Sequence, residues 1–207
     1  MSEYKTTKVY CAKSANPSVL KNGEISHPIR AAEISAVRNV TVKKNKLFVW
    51  KLLEYAYSDF FGKKFCDDCV VKGNDGKWKS ADGSFFFSLS HTDDICAVAI
   101  GFVPCGVDVE GFDRKRFGQP LAKKILCESE YEEYERLTCD EGQIFCAQKW
   151  TQKESAFKKN GGELFVPRNI RCSDFVCVTK TLLLEDRQFF LSLCAQDAKE
   201  AEFELML

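Results

Sequence analysis

Two carboxylates separated by one residue are the central chemical feature of the sequence. Asp108 and Glu110 alternate with valines in the stretch 106–110, and this period of two is typical of a β-strand. Residues two apart project from the same face of a strand, so both carboxylates are expected to point the same way. Neighbouring carboxylates repel each other, and a hard divalent cation, above all Mg²⁺, would relieve that repulsion. The alternative is an exposed strand face on which both side chains meet water.

A predicted helix carries a further carboxylate and a cation. The helix is expected over about 141–159, and Asn160-Gly161-Gly162 is a natural stop signal. Residues four apart share one helix face, so Glu154 and Lys158 are expected to lie side by side. Taken alone, this pair is an ordinary surface ion pair worth roughly a few tenths of a kcal/mol.

Two strand-like runs, 84–91 and 95–103, precede the carboxylates and are joined by a polar turn. The first run ends in Ser90 and His91, where side chains are presented beside a turn. A histidine at a strand end is often merely solvated. The strand of Asp108 follows one hairpin later, and this closeness favours a functional role for His91.

The other elements must position these residues. Further strands are predicted over 8–12, 175–179, 188–194 and 202–207, a hairpin over 70–79, and helices over 30–40, 43–61, 119–126 and 129–137. A short echo between 85–90 and 189–194 predicts two halves of similar build, each a small sheet with a long helix. The fold class predicted is therefore α+β, with halves 1–104 and 105–207 and the site in the cleft between them.

Composition excludes several classes of protein. The chain has 207 residues, 45% of them hydrophobic and 29% charged, which describes an ordinary globular protein. Its formal net charge of zero argues against a nucleic-acid binder. No stretch approaches the ~18 apolar residues that span a membrane, and the first 17 residues lack the apolar run of a signal peptide. A cytoplasmic protein is expected.

The 11 cysteines include one pair with zinc-ligand spacing, Cys66 and Cys69. No second pair follows, and the acidic residues between the two thiols would disfavour a reactive thiolate. A loop with two incidental thiols is expected, with a metal or redox role as the alternative.

Three motifs together carry a family resemblance. Phe87–His91 (FSLSH), Gly106–Glu110 (GVDVE) and Trp150–Lys158 (WTQKESAFK) occur in this order. They resemble the 4′-phosphopantetheinyl transferases of the surfactin-synthetase-activating type, with their Ser-His strand end, G-[IV]-D-[IV]-E strand and W-[ST]-x-K-E-[AS]-x-x-K helix. The resemblance is clear over 76–158. The length fits the two-half monomeric type better than the shorter trimeric synthases, and the family's halves are related by a pseudo-two-fold.

The resemblance implies transfer of the 4′-phosphopantetheine arm of coenzyme A to a serine hydroxyl of an apo acyl or peptidyl carrier protein. Adenosine 3′,5′-bisphosphate would be released, and the activity implied is that of a holo-[acyl-carrier-protein] synthase. Asp108, Glu110 and Glu154 would hold Mg²⁺, or Mn²⁺ in its place, against the pyrophosphate. Glu154 would also be the base for the carrier serine. Lys158 would bind the pyrophosphate and assist the departing phosphate.

The resemblance also implies contacts to coenzyme A. Asp108 and Lys158 lie on its pyrophosphate side, Lys153 would add a phosphate contact, and Ser90 would meet a pyrophosphate oxygen. His91 would meet the 3′-phosphate. Lys77 matches the family's Gly-Lys, although Trp78 stands where the family usually has proline.

Two surfaces cannot be placed from the sequence. Candidates for gripping the 3′-phosphate are Arg30, Arg38 and Lys46. The family's acidic carriers need a basic docking surface, and the runs 43–46 and 114–116 are both candidates.

Two other classes of function remain open. A Mg²⁺-dependent phosphodiesterase would use the same carboxylates with water as the nucleophile and would not depend on coenzyme A. A catalytically silent carrier-binding module would have no need of the combination Asp108, Glu110, Glu154 and Lys158.

Overall fold

The computed structural model describes residues 6–20, 25, 27–74, 76–92 and 94–207. Nine β-strands and five α-helices lie in this part of the chain, so the protein is α+β, as predicted. The strands are β1 Lys8–Lys13, β2 Val70–Lys72, β3 Trp78–Ser80, β4 Phe86–His91, β5 Ile95–Gly101, β6 Cys105–Gly111, β7 Cys177–Leu184, β8 Arg187–Ala195 and β9 Glu202–Met206. The helices are α1 Pro28–Ser35, α2 Val40–Phe61, α3 Gln119–Ile125, α4 Glu128–Tyr134 and α5 Cys139–Asn160.

The first sheet is buried on both faces. Its order is β4-β5-β1-β9, with β9 parallel to β1 and the other pairs antiparallel. Alternate residues of β5 project to opposite sides. Cys96, Val98 and Ile100 pack with α2 in one core. Ile95 and Ala97 pack with the second sheet in another core. The continuous apolar run of β5 is explained by this double burial.

The second sheet, β6-β8-β7, is antiparallel and packs one face on the first sheet. Val107 and Val109 contribute to the core between the sheets. Because side chains alternate along β6, the carboxylates at 108 and 110 lie on the opposite face, toward α5. Residues of α3, α5 and β8 form the third core there. The layers are therefore α2, first sheet, second sheet and α5.

Three strands and one helix follow one another in the same order in each sheet, although the first sheet also contains β9. The series β1-α2-β4-β5 and β6-α5-β7-β8 each place the last strand at the centre, in the orders β4-β5-β1 and β7-β8-β6. The sequence echo joins β4, at an edge, to β8, at a centre, so the two echoed segments occupy different places. A pseudo-two-fold relating the halves stays a prediction. Strand β9 pairs with β1, so the predicted boundary at residue 104 does not separate the two sheets.

Several predicted boundaries differ from the structure. The helix predicted over 30–40 ends at Ser35, because Asn39 is the extended N-cap of α2 and accepts a bond from the Val42 amide at 3.0 Å. The strand predicted over 175–179 is instead β7, which begins at Cys177. Within the described residues, no helix has the length and apolar character to cross a membrane.

The expectation of two incidental thiols at Cys66 and Cys69 is wrong. The structure joins them in a disulfide, with their Cα atoms 5.5 Å apart. A 3-10 turn over Asp67–Cys69 brings residues three apart onto the same side, which the spacing alone did not require.

Candidate active site

Three elements meet at the carboxylate of Asp108. Strand β6 carries Asp108, β4 carries Ser90 and α5 carries Lys158. Asp108 Oδ1 accepts bonds from Lys158 Nζ at 2.8 Å and from Ser90 Oγ at 2.9 Å. The Lys158 ammonium also donates to Ser90 Oγ at 3.1 Å. The predicted nearness of these three residues is therefore seen in the structure.

Serine hydroxyls join the edge of the first sheet to β6. Ser88 Oγ accepts from the Val107 amide at 3.0 Å, and Ser90 Oγ accepts from the Val109 amide at 3.2 Å. A hydroxyl has one proton and two acceptor sites, so the bonds to Asp108, Lys158 and Val109 use all those of Ser90. In this geometry Ser90 orients the Asp108 carboxylate. Its predicted contact to pyrophosphate would require one of these bonds to be exchanged.

The position of α5 depends on a glycine in β6. A Cβ atom built on Gly106 would lie 1.9 Å from the Ser155 carbonyl oxygen and 2.5 Å from the Lys159 amide nitrogen. Only the missing side chain permits this approach. Thr151 Oγ1 and Ser192 Oγ, 2.8 Å apart and buried, tie the same helix to β8. These contacts fix which turn of α5 faces Asp108.

Glu154 lies on α5, one helical turn before Lys158. Burial and the nearby charge of Asp108 raise its pKa to about 7, and Glu110 adds to this rise while Lys158 opposes it. Burial likewise raises the pKa of Asp108, with Lys158 again opposing. The carboxylates are thus close enough to disfavour each other's ionised forms, which is the situation that a bound cation relieves.

Glu110 is held by two residues that the sequence analysis did not assign to it. Arg116 binds it with both guanidinium nitrogens, Nη1 to Oε2 at 2.7 Å and Nη2 to Oε1 at 3.2 Å. The Trp150 indole N–H donates to Oε1 at 2.9 Å. The tryptophan of the WTQKESAFK motif offered a signal for this role. Its indole N–H is a single hydrogen-bond donor, and that donor needs one acceptor. Nothing in the polar run around Arg116 distinguished it from a solvated loop.

The residues fit a hard divalent cation in chemistry but only in part in arrangement. Asp108 Oδ2 is buried and has no hydrogen-bond partner, and carboxylate oxygens are the donors that Mg²⁺ prefers. The charge of Asp108 raises the pKa of Glu154, so the two carboxylates lie near each other. Yet among the described residues, no three His, Cys, Asp or Glu side chains are grouped closely enough to hold a metal. Both oxygens of Glu110 accept hydrogen bonds, from Arg116 and Trp150.

The predicted phosphate contact of Lys153 is not supported by its position. Its ammonium is fully buried, pairs with Glu130 at 2.6 Å and donates to the carbonyls of Pro167 and Ile170. Burial raises the pKa of Glu130, but hydrogen bonds from Lys153 and from the Cys172 amide outweigh this and leave that pKa below its usual value. Lys153 therefore anchors the chain after α5, and a contact to coenzyme A would require these bonds to open.

Lys77 and His91 lie at the rim of the region. A cleft of about 240 Å³ is lined by Lys77, Trp78, Phe87 and Lys158, among others. Lys77 Nζ stands 5.2 Å from the centre of the Phe157 ring. His91 ends β4 and is exposed, opposite Cys96 in register. Their contacts to coenzyme A stay predictions.

The basic residues proposed to bind the 3′-phosphate or a carrier protein differ in exposure and in their ion pairs. Arg30 is buried, binds Glu33 at 3.1 Å and lies over the Trp50 ring, so its charge is already matched within the protein. Arg38 is exposed, and Lys46 is half-buried. In the two docking candidates, Lys43 and Lys44 are exposed, whereas Arg114 pairs with Asp140 and Arg116 with Glu110.

Comparison with known proteins bears on this cleft. The family model of the 4′-phosphopantetheinyl transferase superfamily matches residues 104–205. That range includes Asp108, Glu110, Glu154 and Lys158. The second half of the chain is thus similar to this superfamily, and the match supports a transferase that moves phosphopantetheine. A comparison with curated proteins found no significant match.

Proposed function

We propose that the protein transfers the 4′-phosphopantetheine arm of coenzyme A to a serine hydroxyl of an apo acyl or peptidyl carrier protein. The observation that carries the proposal is the meeting of Asp108 and Lys158 across β6 and α5, with Glu154 one turn away. The family match covers all three residues. We further propose the surfactin-synthetase-activating type, acting as a monomer, because its three motifs converge at this one cleft.

The reaction requires charge to be neutralised on a pyrophosphate. The carrier serine oxygen forms a bond to the β-phosphorus, and the bond from that phosphorus to the bridging oxygen breaks. Adenosine 3′,5′-bisphosphate leaves with the electron pair. The Lys158 ammonium pairs with Asp108 and is proposed to meet the charge that develops on the phosphate oxygens.

Glu154 is the proposed proton acceptor. Its pKa of about 7 is that of the site without a cation. A bound cation would lower this pKa, and we propose that the ionised Glu154 carboxylate accepts the serine proton, directly or through water, as the bond to phosphorus forms. Asp108 and Glu154, joined by Glu110, would hold Mg²⁺ or Mn²⁺. When bound, such a cation neutralises pyrophosphate charge as a Lewis acid.

The remaining residues are assigned from their positions around the cleft. Lys77 and Lys158 line the same space of about 240 Å³, where they can meet phosphates from two sides. Ser90 fixes the orientation of Asp108 and would contact the pyrophosphate only after exchanging a bond. His91, exposed at the end of β4, is proposed to bind the 3′-phosphate.

The test is the intact mass of a carrier protein. Purified protein is incubated with an apo carrier, coenzyme A and Mg²⁺, and the carrier should gain about 340 Da, the mass of the covalently attached arm. Glu154→Gln should lose most of this turnover, because it removes the proton acceptor and a metal-binding charge. Glu135→Gln, the same change at the exposed residue that follows α4, is the matched control.

Three results would contradict the proposal. An unmodified carrier, across acyl and peptidyl carriers, would remove the transferase function, and coenzyme A binding without transfer would then favour a silent carrier-binding module. Hydrolysis of a phosphodiester without coenzyme A would favour the phosphodiesterase. Wild-type rates from Glu154→Gln would remove that residue from the mechanism.

A further inference from the structure

Glu110 is bound on both oxygens while Asp108 keeps one oxygen unpaired, and this difference needs an explanation if both serve one cation. We propose that Arg116 is a displaceable counterion: it neutralises Glu110 before the cation binds, and it must leave Glu110 when the cation arrives. The inference rests on the proposed function and concerns how its site is loaded. Arg116 is then a positioning residue that acts through Glu110.

The geometry makes Arg116 a direct competitor of a cation. A guanidinium that binds a carboxylate with two nitrogens uses the same oxygen lone pairs that a metal would use. The two distances, 2.7 Å and 3.2 Å, leave neither Glu110 oxygen unoccupied. A cation and Arg116 therefore cannot both hold this carboxylate in the same way. Two positive charges at such a separation would also repel each other.

The pair is exposed enough to be exchanged. The Arg116 side chain is 43% exposed and that of Glu110 is 21% exposed. A partly exposed ion pair contributes little to stability, so a cation bound by three carboxylates can replace it. By contrast, Lys153 and Glu130, at 0% and 9% exposure, form a pair that a solvent cation cannot reach.

Arg116 also has aromatic neighbours that do not depend on its bond to Glu110. Its guanidinium lies 4.9 Å from the Phe117 ring centre and 5.5 Å from the Trp150 ring centre. Cation–π contacts of this kind do not require the carboxylate, so the charge keeps a favourable neighbour after release. The Trp150 N–H can meanwhile keep its bond to Oε1 and hold Glu110 in place. Tryptophan and arginine thus have separate roles at one carboxylate.

The decisive measurement is the affinity for Mn²⁺ alone, taken from the free Mn²⁺ signal in electron paramagnetic resonance. Arg116→Gln should bind Mn²⁺ about two- to fivefold more tightly than wild type, because the competing pair is gone. Arg116→Lys keeps the charge without the paired geometry and should fall between them. Arg114→Gln removes the same charge from a neighbouring residue that pairs with Asp140, and it should change the affinity less.

The outcomes separate this inference from the proposed function. Unchanged or weaker Mn²⁺ binding by Arg116→Gln overturns the counterion role, and so does an equal gain in Arg114→Gln. If Asp108→Asn abolishes Mn²⁺ binding in the same series, the metal site stands although the counterion role has failed. If neither wild type nor Arg116→Gln binds Mn²⁺, with or without coenzyme A, the counterion role and the metal site of the proposed function are both overturned. A tighter Arg116→Gln cannot arise from partial unfolding, since unfolding weakens binding.

Discussion

A carboxylate buried as deeply as Asp108 is stable only where other groups meet its charge. Lys158 and Ser90 both bind Oδ1, and they come from elements far apart in the sequence. Oδ2 is left without a hydrogen-bond partner. A buried, unpaired oxygen costs free energy, and a ligand that reaches it recovers that cost. At the residue scale, Asp108 is therefore the position where cation binding and protein stability are most closely linked.

Glu154 gives this link a pH dependence. Its pKa is about 7 in the folded protein and near 4.5 in the unfolded chain, so the folded state prefers the protonated form. Below both values the residue is protonated in either state and costs nothing. As the pH rises from about 4.5 to about 7, the unfolded state ionises first, and the folded state loses relative stability.

We therefore expect Glu154→Gln to stabilise the metal-free protein at pH 8 more than at pH 5. Thermal unfolding in a chelator across that pH range measures the difference between the variant and wild type. Adding Mn²⁺ should raise the unfolding temperature of wild type at pH 8 more than that of the variant. A difference that stays constant from pH 5 to pH 8 would contradict the raised pKa.

Lys153 allows a structural role to be distinguished from a role in binding phosphate. Lys153→Met should lower the free energy of unfolding by about 3–5 kcal/mol, because it leaves the Glu130 carboxylate buried without its cation. The transfer rate per folded molecule should be kept. Lys149→Met on the same helix, where the ammonium only lies over the Phe145 ring, should cost about 1 kcal/mol or less. Urea unfolding gives the first quantity and carrier mass the second. A stable variant with a reduced rate would return Lys153 to the phosphate site.

The sequence could predict some of the contacts between the site residues, but not all of them. Glu154 and Lys158 are four apart, and helical geometry was sufficient to put them on one face. Lys153 is adjacent to Glu154 and hence about a quarter turn away, so the same geometry argues against a shared cleft. Its partner Glu130 lies on another helix, and no local pattern links them. The partners of Glu110 were missed for the same reason.

At the scale of elements, the close packing of β6 and α5 sets the distance between the carboxylates and Lys158. Gly106→Ala should lower the free energy of unfolding by about 2 kcal/mol or more and reduce transfer by at least about tenfold, because the added methyl group displaces the helix. Gly111→Ala is the matched control in the same strand. Its Cβ would meet the Phe189 ring at 3.4 Å, an ordinary contact. Equal effects of the two changes would remove Gly106 from this role.

Period and capping signals placed most elements correctly. The strands β4 and β5 and the helix α5 lie close to their predicted ranges, because each has an uninterrupted pattern and a clear stop. The strand predicted over 175–179 was placed too early, since its polar and apolar residues do not alternate cleanly. The Phe85 and Phe189 echo linked an edge strand to a central one. Apolar content alone does not reveal a strand's place in a sheet.

At the scale of the whole molecule, the site lies where the edge of one sheet meets the other sheet and its helix. Ser88 and Ser90 bridge β4 to β6, and β9 returns to pair with β1. Such pairings join residues far apart in the chain, and the sequence offered no pattern for them. The echo between 85–90 and 189–194 predicted two halves of similar build, with the site in the cleft between them. The strand orders around β5 and β8 are similar, and the relation between the halves stays a prediction.

The most direct test of the account is the position of Mn²⁺ in crystals soaked with coenzyme A, located by anomalous scattering. The ion should lie against Asp108 Oδ2 and Glu154, with Glu110 turned from Arg116 toward it and a phosphate of the ligand at Lys158. An ion bound elsewhere, or a pyrophosphate that does not contact Lys158, would contradict the proposed site.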